Sequence, residues 1–302
     1  MGESLKIGVV GAGVFGSHHA RKCAGHDRVA LTGVCDVDKA RAEALARELG
    51  TEALSMDALA SASDALIIAS PASTHEAAAK VGLRAGCHLL IEKPIAATVE
   101  AAEALVAQAA SSGLVLQVGH QERFVASAIG LDHIDEPPLA IRAWRHTPWS
   151  ERGTDVGVTL DLMTHDIDLV LWMLGEEPEH VSGEVERVKS SHSDRADAVF
   201  QFSQTTAWLS ASRVADAPRR ELELDFPDGT MRIDFLAKSL ENATPHPVIA
   251  NFGDDPKAQD SLAAALDGFV SAVLDGTPVP ITGGMGLRAL RYAVAVEASR
   301  NG

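Results

Sequence analysis

One short segment of the sequence combines a histidine with three carboxylates. The stretch "DLMTHDID" holds Asp161, His165, Asp166 and Asp168 and continues into the apolar "LVLWMLG". On a single helix Asp161, His165 and Asp168 fall at i, i+4 and i+7 and share one face, whereas Asp166 points elsewhere. A histidine oriented by a carboxylate can accept a substrate proton, so the segment is a candidate for general acid–base chemistry. We expect the apolar run to bury this helix and hold the pair in position.

Two other interpretations of this segment stay open. The i, i+4 spacing could bind a metal, but a second histidine or a cysteine is not in sight as a third ligand, and zinc sites normally use three protein ligands. Alternatively, His165 is a structural residue satisfied by a carboxylate near a helix start. The sequence favours catalysis, with Asp168 supporting the helix and Asp166 facing solvent or pairing with a basic neighbour.

A lysine stands at the end of a predicted buried strand. In "LLIEKP" the residues Glu92, Lys93 and Pro94 follow the apolar run. The carboxyl ends of parallel strands open onto the ligand crevice of a doubly wound sheet, so Lys93 is expected to project into it. An ammonium there can hydrogen-bond a substrate hydroxyl and stabilise its developing negative charge. The alternative is an ordinary exposed lysine, and whether Lys93 or His165 is the base stays open.

A glycine-rich turn follows the first predicted strand. In "VVGAGVFG" three glycines have G-x-G-x-x-G spacing, which allows a tight turn, a close approach of pyrophosphate, and packing of the helix on the strand. The next strand ends at Asp36, 20 residues after Gly16, where a carboxylate can bind a ribose and repel a 2′-phosphate. The sequence therefore predicts a dinucleotide site, with NAD favoured over NADP. Its loop residues are Gly11, Ala12, Gly13, Val14, Phe15 and Gly16.

These candidate residues need two domains to position them. Up to about residue 120, short β-branched runs alternate with Ala-rich helical stretches, which is typical of a parallel sheet with crossover helices. Beyond about residue 125, strand-like runs follow one another closely, and "FPDGTM" predicts an Asp-Gly turn between two of them. We therefore predict an α/β chain with a Rossmann-type domain over 1–122. A second domain over 123–302 is predicted to be α+β with an open, mainly antiparallel sheet, and its last helices can pack back on the first.

Composition narrows the possible partners and the compartment. The 302 residues include 42 acidic against 26 basic ones, a formal charge of −16 that disfavours nucleic acid and anionic lipid as partners. The three cysteines are widely spaced and fit neither a disulfide framework nor a thiolate metal site, so a reducing cytoplasm is expected. No apolar stretch approaches the length of a membrane span. Helices can cover only one face of the predicted open sheet. We therefore expect the other face to be buried in a homodimer or homotetramer.

Taken together, these motifs resemble the Gfo/Idh/MocA family of oxidoreductases over nearly the whole chain. The resemblance rests on "GVVGAGVFGSHHA", "IIASPASTHEAAA", "GCHLLIEKPIA", "LQVGHQERF" and "LDLMTHDIDLVLWMLG". The "EKP" element together with D-x-x-x-H is specific to the family, whereas the glycine loop alone is not. The resemblance implies NAD-dependent oxidation of a ring hydroxyl of a sugar, a nucleotide sugar or inositol.

The resemblance also implies roles for individual residues. In the family, the lysine of "EKP" and the Asp and His of the later helix line the substrate pocket beside the nicotinamide. Carried over, the catalytic residues are Lys93, Asp161 and His165. The further cofactor contacts that the resemblance implies are Ser70, Pro71, Thr74, His75, Glu92 and Lys93.

A closer resemblance is to the branch of the family that oxidises UDP-N-acetylglucosamine to its 3-keto derivative. It rests on "RHTPWSERGTDVGVTLDLMTHDIDLVL", with a local departure where "VASA" follows "ERF" in place of the usual Asn-Pro. In that branch an aminotransferase converts the ketone to the diamino sugar of some lipid A molecules. Basic residues could contact the diphosphate or sugar, although each arginine could equally form a surface ion pair. The candidates are Arg123, Arg145, His146, Arg152 and Arg213.

Two alternatives to this activity are kept. One is a dehydrogenase of a free sugar or inositol, against which the arginines near 142–152 argue. The other, from a different class, is a dinucleotide-binding regulator without turnover. A pure sensor needs none of Lys93, Asp161 and His165, so their joint presence favours an enzyme.

Overall fold

Two compact units make up the chain, and the computed structural model describes residues 4–151 and 153–299. The first unit comprises Met1–His120 and Leu262–Leu287, and the second comprises Gln121–Ser261 and Arg288–Gly302. Arg152, one of the candidate substrate contacts, lies outside the described residues. Within those residues, none of the helices combines the length and the apolar character needed to cross a membrane.

The first unit is built on a five-stranded parallel sheet with the order β2-β1-β3-β4-β5. All five strands coincide with the predicted ones, which confirms the doubly wound domain. The middle strand, Ala65–Ile68, is buried at all four residues because helices cover both faces of such a sheet. The strands are β1 (Leu5–Val10), β2 (Val29–Cys35), β3 (Ala65–Ile68), β4 (His88–Ile91) and β5 (Leu116–Val118).

Five helices connect these strands, and local signals set their ends. Asp38 caps the second helix by accepting from the Arg41 N–H, and Gly50 ends it in the left-handed conformation. One short helix was not predicted, although Ser55 caps it at its start, because seven residues are too few to show a helical period. The helices are α1 (Val14–Ala24), α2 (Lys39–Leu49), α3 (Met56–Ala62), α4 (His75–Ala85) and α5 (Val99–Ser111).

The second unit contains a seven-stranded sheet with the order β12-β11-β10-β6-β9-β8-β7. Every neighbouring pair is antiparallel except β6 and β9, which run parallel, so the predicted mainly antiparallel sheet is confirmed. The turn between β10 and β11 is Pro227–Asp228, one residue earlier than the predicted Asp-Gly turn, because Gly229 already pairs with Phe226. The strands are β6 (Ala140–His146), β7 (His180–Glu186), β8 (Arg195–Gln201), β9 (Thr206–Ser212), β10 (Arg219–Phe226), β11 (Gly229–Asp234) and β12 (Ser239–Asn242).

One face of this sheet is covered by helices and the other is open. Along β6 the residues Ile141, Ala143 and Arg145 are buried, whereas the alternate residues, such as Trp144 and His146, are only half-buried. The covering helix that packs on β6 and β9 is α7. The other helices of this unit are α6 (Glu122–Ile129), α7 (Thr164–Leu174) and α8 (Pro256–Gln259). All but the first residue of α9 (Ser261–Leu274) belongs to the first unit, and α10 (Gly283–Ala298) begins in the first unit and continues into the second.

The segment "DLMTHDID" is not one regular helix. Thr159–Met163 forms a π-helix that leads directly into α7, and the Thr164 N–H donates to the Thr159 carbonyl five residues earlier. The start of the π-helix is tied to α10, because the Thr159 and Ser193 hydroxyls both donate to Glu297 at 2.6 Å. Single π-turns of this kind are frequent at functional sites. Asp161 therefore lies in the π-helix and His165 in α7.

Candidate functional site

The glycine loop has the shape that a dinucleotide requires. Gly11 has φ +99°, and a Cβ there would lie 2.7 Å from the Ala69 carbonyl oxygen. A Cβ on Gly16 would lie 1.8 Å from the Gly11 carbonyl oxygen, so only glycine lets α1 pack this closely on the loop. At Gly13, by contrast, a Cβ would meet no atom of the described residues within 4 Å. The exposed backbone at Gly13 and the start of α1 together fit a pyrophosphate.

Asp36 is joined to this loop. It follows the end of β2, and its carboxylate accepts from the Ala12 N–H at 2.6 Å and from the Asp38 N–H at 2.8 Å. Each carboxylate oxygen keeps a second lone pair, so the group can also accept from ribose hydroxyls. The Arg41 guanidinium lies 3.9 Å from Asp36. Asp36 thus ties the glycine loop to the end of β2 through its carboxylate.

The "SPASTH" segment is a loop with internal hydrogen bonds and a buried histidine. Thr74 donates its hydroxyl to Ser70 Oγ, and the same hydroxyl lies 2.7 Å from the Pro71 carbonyl oxygen. His75 is 1% exposed, and its two ring nitrogens lie 2.8 Å from the carbonyl oxygens of Ser70 and Pro94. Burial lowers the pKa of His75, and the two carbonyl contacts, which raise this pKa, do not offset the effect of burial. The His75 ring therefore holds this loop to the "EKP" loop rather than presenting a nitrogen to a ligand.

The "EKP" loop carries a buried carboxylate next to a half-buried lysine. Glu92 accepts from His19 Nε2 at 2.7 Å, and His19 is fully buried on α1. Burial raises the pKa of Glu92, but the His19 hydrogen bond and the charge of Lys93 outweigh it and lower that pKa overall. Glu92 is thus an ionised internal group next to Lys93 in the chain, and it is not an exposed cofactor ligand.

Asp161 and His165 are half-buried, whereas the two later aspartates of the segment are buried. Asp168 accepts from Arg123 Nε at 2.6 Å and therefore supports α7 from α6, as predicted. Asp168 is more deeply buried than Asp161 and His165, because this ion pair holds its carboxylate inside the unit. Asp166 pairs with a basic residue, Arg145, and does not face solvent.

The arginines proposed as substrate contacts are mostly internal. Arg145 is 2% exposed and pairs with Asp166 at 2.8 Å and with Glu122 at 3.2 Å. Burial alone would lower the pKa of Arg145. The two carboxylates raise it by more, so the pKa lies above its usual value and the guanidinium stays charged. Its neighbour His146 points to the open face of the sheet, where its Nε2 lies 3.0 Å from Ser210 Oγ. Arg145 and His146 therefore cannot contact one ligand together.

Arg123 and Arg213 are also committed to protein groups. Arg123 is 7% exposed and holds Asp168 through both ends of its guanidinium. Arg213 is 3% exposed and donates to the carbonyls of Gly153 at 2.7 Å and Val156 at 3.0 Å. The expectation that Arg123, Arg145 and Arg213 bind substrate is not supported, because each guanidinium satisfies internal acceptors.

The loop that Arg213 holds contacts Asp161 directly. Gly153 has φ +69°, and a Cβ there would lie 2.5 Å from Asp161 Oδ2. The backbone of this loop therefore supports the Asp161 carboxylate, and only glycine allows the approach. Gly153 was missed in the sequence, where "ERGTD" gives no sign that its glycine meets a side chain eight positions later.

A metal site does not form around these groups. Within residues 4–151 and 153–299, no three His, Cys, Asp or Glu side chains cluster closely enough to hold a metal ion. The half-buried pair Asp161 and His165 instead combines a carboxylate with an imidazole, a combination that can move a proton.

Comparison with known proteins assigns the family. A sequence model described as "Oxidoreductase family, NAD-binding Rossmann fold" matches residues 5–120, and the "GFO/IDH/MocA C-terminal domain" matches residues 134–232. The UDP-N-acetylglucosamine 3-dehydrogenase of Acidithiobacillus ferrooxidans is 36% identical over 97% of this chain and 98% of its own. The inositol 2-dehydrogenase of Rhizobium meliloti is 28% identical over 98% and 97% of the two chains.

Solved structures agree with these sequence matches. One of UDP-N-acetylglucosamine 3-dehydrogenase from Acidithiobacillus ferrooxidans superposes with a TM-score of 0.89 at 35% identity, covering 98% of each chain. The scyllo-inositol dehydrogenase of Lactobacillus casei, with bound NAD(H) and scyllo-inositol, superposes with a TM-score of 0.80 at 26% identity, covering 99% of this chain and 97% of that one. The chain is therefore a member of the Gfo/Idh/MocA oxidoreductase family, with an NAD-binding Rossmann domain.

Proposed function

We propose that this enzyme oxidises the 3-hydroxyl of UDP-N-acetylglucosamine to a ketone with NAD as the acceptor. The observation that carries the proposal is the 36% identity, over 97% of the chain, to a UDP-N-acetylglucosamine 3-dehydrogenase. Identity to the inositol 2-dehydrogenase of Rhizobium meliloti, over a similar span, is 28%. The sugar-oxidising relative is thus the nearer of the two.

In the proposed mechanism His165 is the general base. It accepts the proton of the substrate hydroxyl, while Asp161 orients the imidazole or binds a neighbouring hydroxyl. Bound NAD supplies the hydride acceptor. The Arg123–Asp168 ion pair and the Gly153 contact hold the two ends of this segment, so the pair keeps its geometry as the proton moves.

Lys93 has the complementary role of a cation. It follows the carboxyl end of β4, where a lysine side chain can stabilise negative charge on the reacting oxygen. We propose His165 rather than Lys93 as the base, a choice that the sequence left open, because an imidazole supported by a carboxylate is suited to accept a proton.

NAD is proposed in preference to NADP because of Asp36. The charge of Asp36 would repel a 2′-phosphate, and its hydrogen bond to Ala12 fixes the loop. Ser70, Pro71 and Thr74 are proposed to lie along the nicotinamide half. His75 and Glu92 are proposed to affect cofactor binding indirectly, by fixing the loops in which they lie.

Replacing Asp36 by asparagine is expected to reduce the discrimination between NAD and NADP. Asparagine can still accept from Ala12 but no longer repels a phosphate. The ratio of kcat/KM with NAD to kcat/KM with NADP should therefore fall roughly tenfold, on the order of the 1–3 kcal/mol typical of such charged contacts. Steady-state kinetics with both cofactors measures this ratio. Asp38→Asn, at the cap of α2, is the matched control. Unchanged discrimination in Asp36→Asn would remove Asp36 from cofactor selection.

Replacing Gly153 by alanine is expected to lower kcat about tenfold, because the new Cβ must displace the Asp161 carboxylate or the loop. Gly113→Ala is the control, since Gly113 has a similar φ of +67° and a Cβ there would meet no described atom within 4 Å. Both variants should lose about 1 kcal/mol of stability from the left-handed backbone. Equal kcat values in the two variants would show that Gly153 does not support Asp161.

We also propose that the open face of the second unit's sheet joins copies of the chain into a homodimer or homotetramer. Trp208 is 42% exposed on this face and lies under the Arg142 guanidinium, and Trp144 lies under Arg219. Exposed aromatic and arginine side chains are typical of interface centres. Sedimentation velocity gives the state directly, and a monomer at micromolar concentration would contradict the proposal.

The ketone product suits a pyridoxal-phosphate aminotransferase as the next enzyme, as in the synthesis of lipid A diamino sugars. We place the reaction in the cytoplasm, a proposal supported by the free thiols of Cys23, Cys35 and Cys87.

A panel of substrates tests the proposed function. Purified protein is incubated with NAD and with UDP-sugars, free hexoses or inositols, and NADH is followed, with an aminotransferase and glutamate added to remove the ketone. We expect the highest kcat/KM with UDP-N-acetylglucosamine. NADH formation only with inositols or free sugars would overturn the choice of substrate, and no NADH with any of them would favour a regulator.

A further inference from the structure

Glu297, on α10, hydrogen-bonds two separate segments of the second unit. One carboxylate oxygen, Oε2, accepts from the Thr159 hydroxyl and from the Ser193 hydroxyl, each at 2.6 Å. Thr159 and Ser193 are both 0% exposed. A buried hydroxyl that loses its acceptor destabilises the fold, so both segments depend on this carboxylate.

The residues just before the π-helix are also fixed around Glu297. The Val158 N–H lies 3.0 Å from both the carbonyl oxygen and the hydroxyl oxygen of Ser193. A Cβ on Gly157 would overlap the Glu297 carboxylate, so the backbone there packs directly against it. The Gly157 carbonyl in turn accepts from the Asp161 N–H at 3.0 Å. The backbone of Asp161 is therefore connected to Glu297 through a single residue.

The π-helix determines how Asp161 is oriented relative to α7. Its wide turn is closed by the Thr164 N–H, which donates to the Thr159 carbonyl five residues earlier instead of four. One residue of an α-helix corresponds to a rotation of about 100°. If the wide turn relaxed to α-helical pairing, the residues ahead of His165 would rotate by up to roughly that angle relative to it. The side on which the Asp161 carboxylate lies therefore depends on keeping Thr159 in place.

We propose that Glu297 is a positioning residue for Asp161. By accepting from Thr159 and Ser193 it holds the start of the π-helix, which sets the side on which the Asp161 carboxylate lies. The inference rests on the proposed function for its catalytic consequence, because Asp161 and His165 are the proposed proton-transfer pair. The contact with the preceding loop supports the carboxylate itself, whereas Glu297 acts through the backbone that carries it.

Hydrogen exchange tests the structural part of the inference on the intact enzyme without substrate. The amides of residues 157–164 should exchange about tenfold faster in Glu297→Ala than in wild type, because the hydrogen bonds that hold this segment are lost. Glu297→Gln keeps an oxygen that can accept from both hydroxyls and should exchange like wild type. Glu241→Ala, on the exposed strand β12, is the matched control and should leave these amides unchanged.

Wild-type exchange of residues 157–164 in a folded Glu297→Ala protein would overturn the inference. If this variant does not fold, Thr159→Val takes its place, because it removes one of the two donors and keeps the shape of the side chain. It should also speed the exchange of the segment, and wild-type exchange in Thr159→Val would overturn the inference in the same way.

Turnover shows whether Glu297 acts through Asp161. In Glu297→Ala kcat should fall about tenfold while the KM for NAD stays within about threefold, and Glu297→Gln should restore kcat. Introduced into Asp161→Asn, Glu297→Ala should lower kcat less than about twofold further, because effects transmitted through one residue are not additive. An equal loss in both backgrounds would place the effect of Glu297 on another residue and overturn the inference. Absence of turnover in wild type would count against the proposed function alone, because the exchange result does not depend on it.

Discussion

Replacing Lys93 by methionine is expected to lower kcat for UDP-N-acetylglucosamine about 10²- to 10³-fold, the usual cost of removing a group that stabilises developing negative charge. Methionine keeps the length and apolar stem of lysine but lacks its charge. The glycine loop and Asp36, which are proposed to hold the adenosine and pyrophosphate, are untouched. The Kd for NAD, measured by fluorescence titration, should therefore change less than about threefold.

The matched control is Lys80→Met, which removes a lysine that forms a surface ion pair with Glu76 on α4. Its kcat should equal that of wild type, since exposed ion pairs contribute little. A Lys93→Met enzyme with normal kcat would show that Lys93 has no catalytic role. A large rise in the Kd for NAD with normal kcat would instead assign Lys93 to cofactor binding.

Replacing His165 by asparagine is expected to lower kcat by roughly 10²- to 10⁴-fold, the range typical for loss of a general base. The limb of the pH profile that reports this base should disappear, because the remaining activity no longer depends on an imidazole. Stopped-flow measurement of NADH formation across a pH series follows both effects. Asp161→Asn should have a smaller effect, since it weakens the orientation of the imidazole but leaves the base in place.

His133→Asn is the control for this variant, because His133 lies in the same unit with a side chain that is 80% exposed. It should leave both kcat and the pH profile unchanged. If His165→Asn kept the wild-type limb, the base would have to be sought elsewhere, and Lys93 would return as the candidate.

The parts of the fold that follow local rules could be predicted from the sequence. The five parallel strands were found because buried strands are short β-branched runs in the sequence. Gly11 and Gly16 were found from their G-x-G-x-x-G spacing, and the structure leaves no room for a Cβ at either position. The π-helix at Thr159–Met163 could not be predicted. It depends on the hydrogen bonds that Glu297, more than a hundred positions later, makes with Thr159 and Ser193.

The arginines show a different kind of limit. In "AIRAWRH" the alternation places Arg145 on the same face as Ile141 and Ala143, so the sequence did hold a sign that this side chain points inward. What no local pattern could supply was its partner, Asp166, because pairing across 21 positions depends on how α7 packs on β6. Arg213 and His19 likewise depend on distant acceptors, the Gly153 carbonyl and Glu92.

The origin of the transferred hydrogen tests the central claim most directly. UDP-N-acetylglucosamine carrying deuterium at C3 of the sugar is incubated with the enzyme and NAD, and the NADH formed is analysed by mass spectrometry. If the enzyme oxidises the 3-hydroxyl, the NADH carries the deuterium and the sugar product has lost it. NADH without deuterium would show that another carbon reacts, and no NADH from this substrate would contradict the proposed activity.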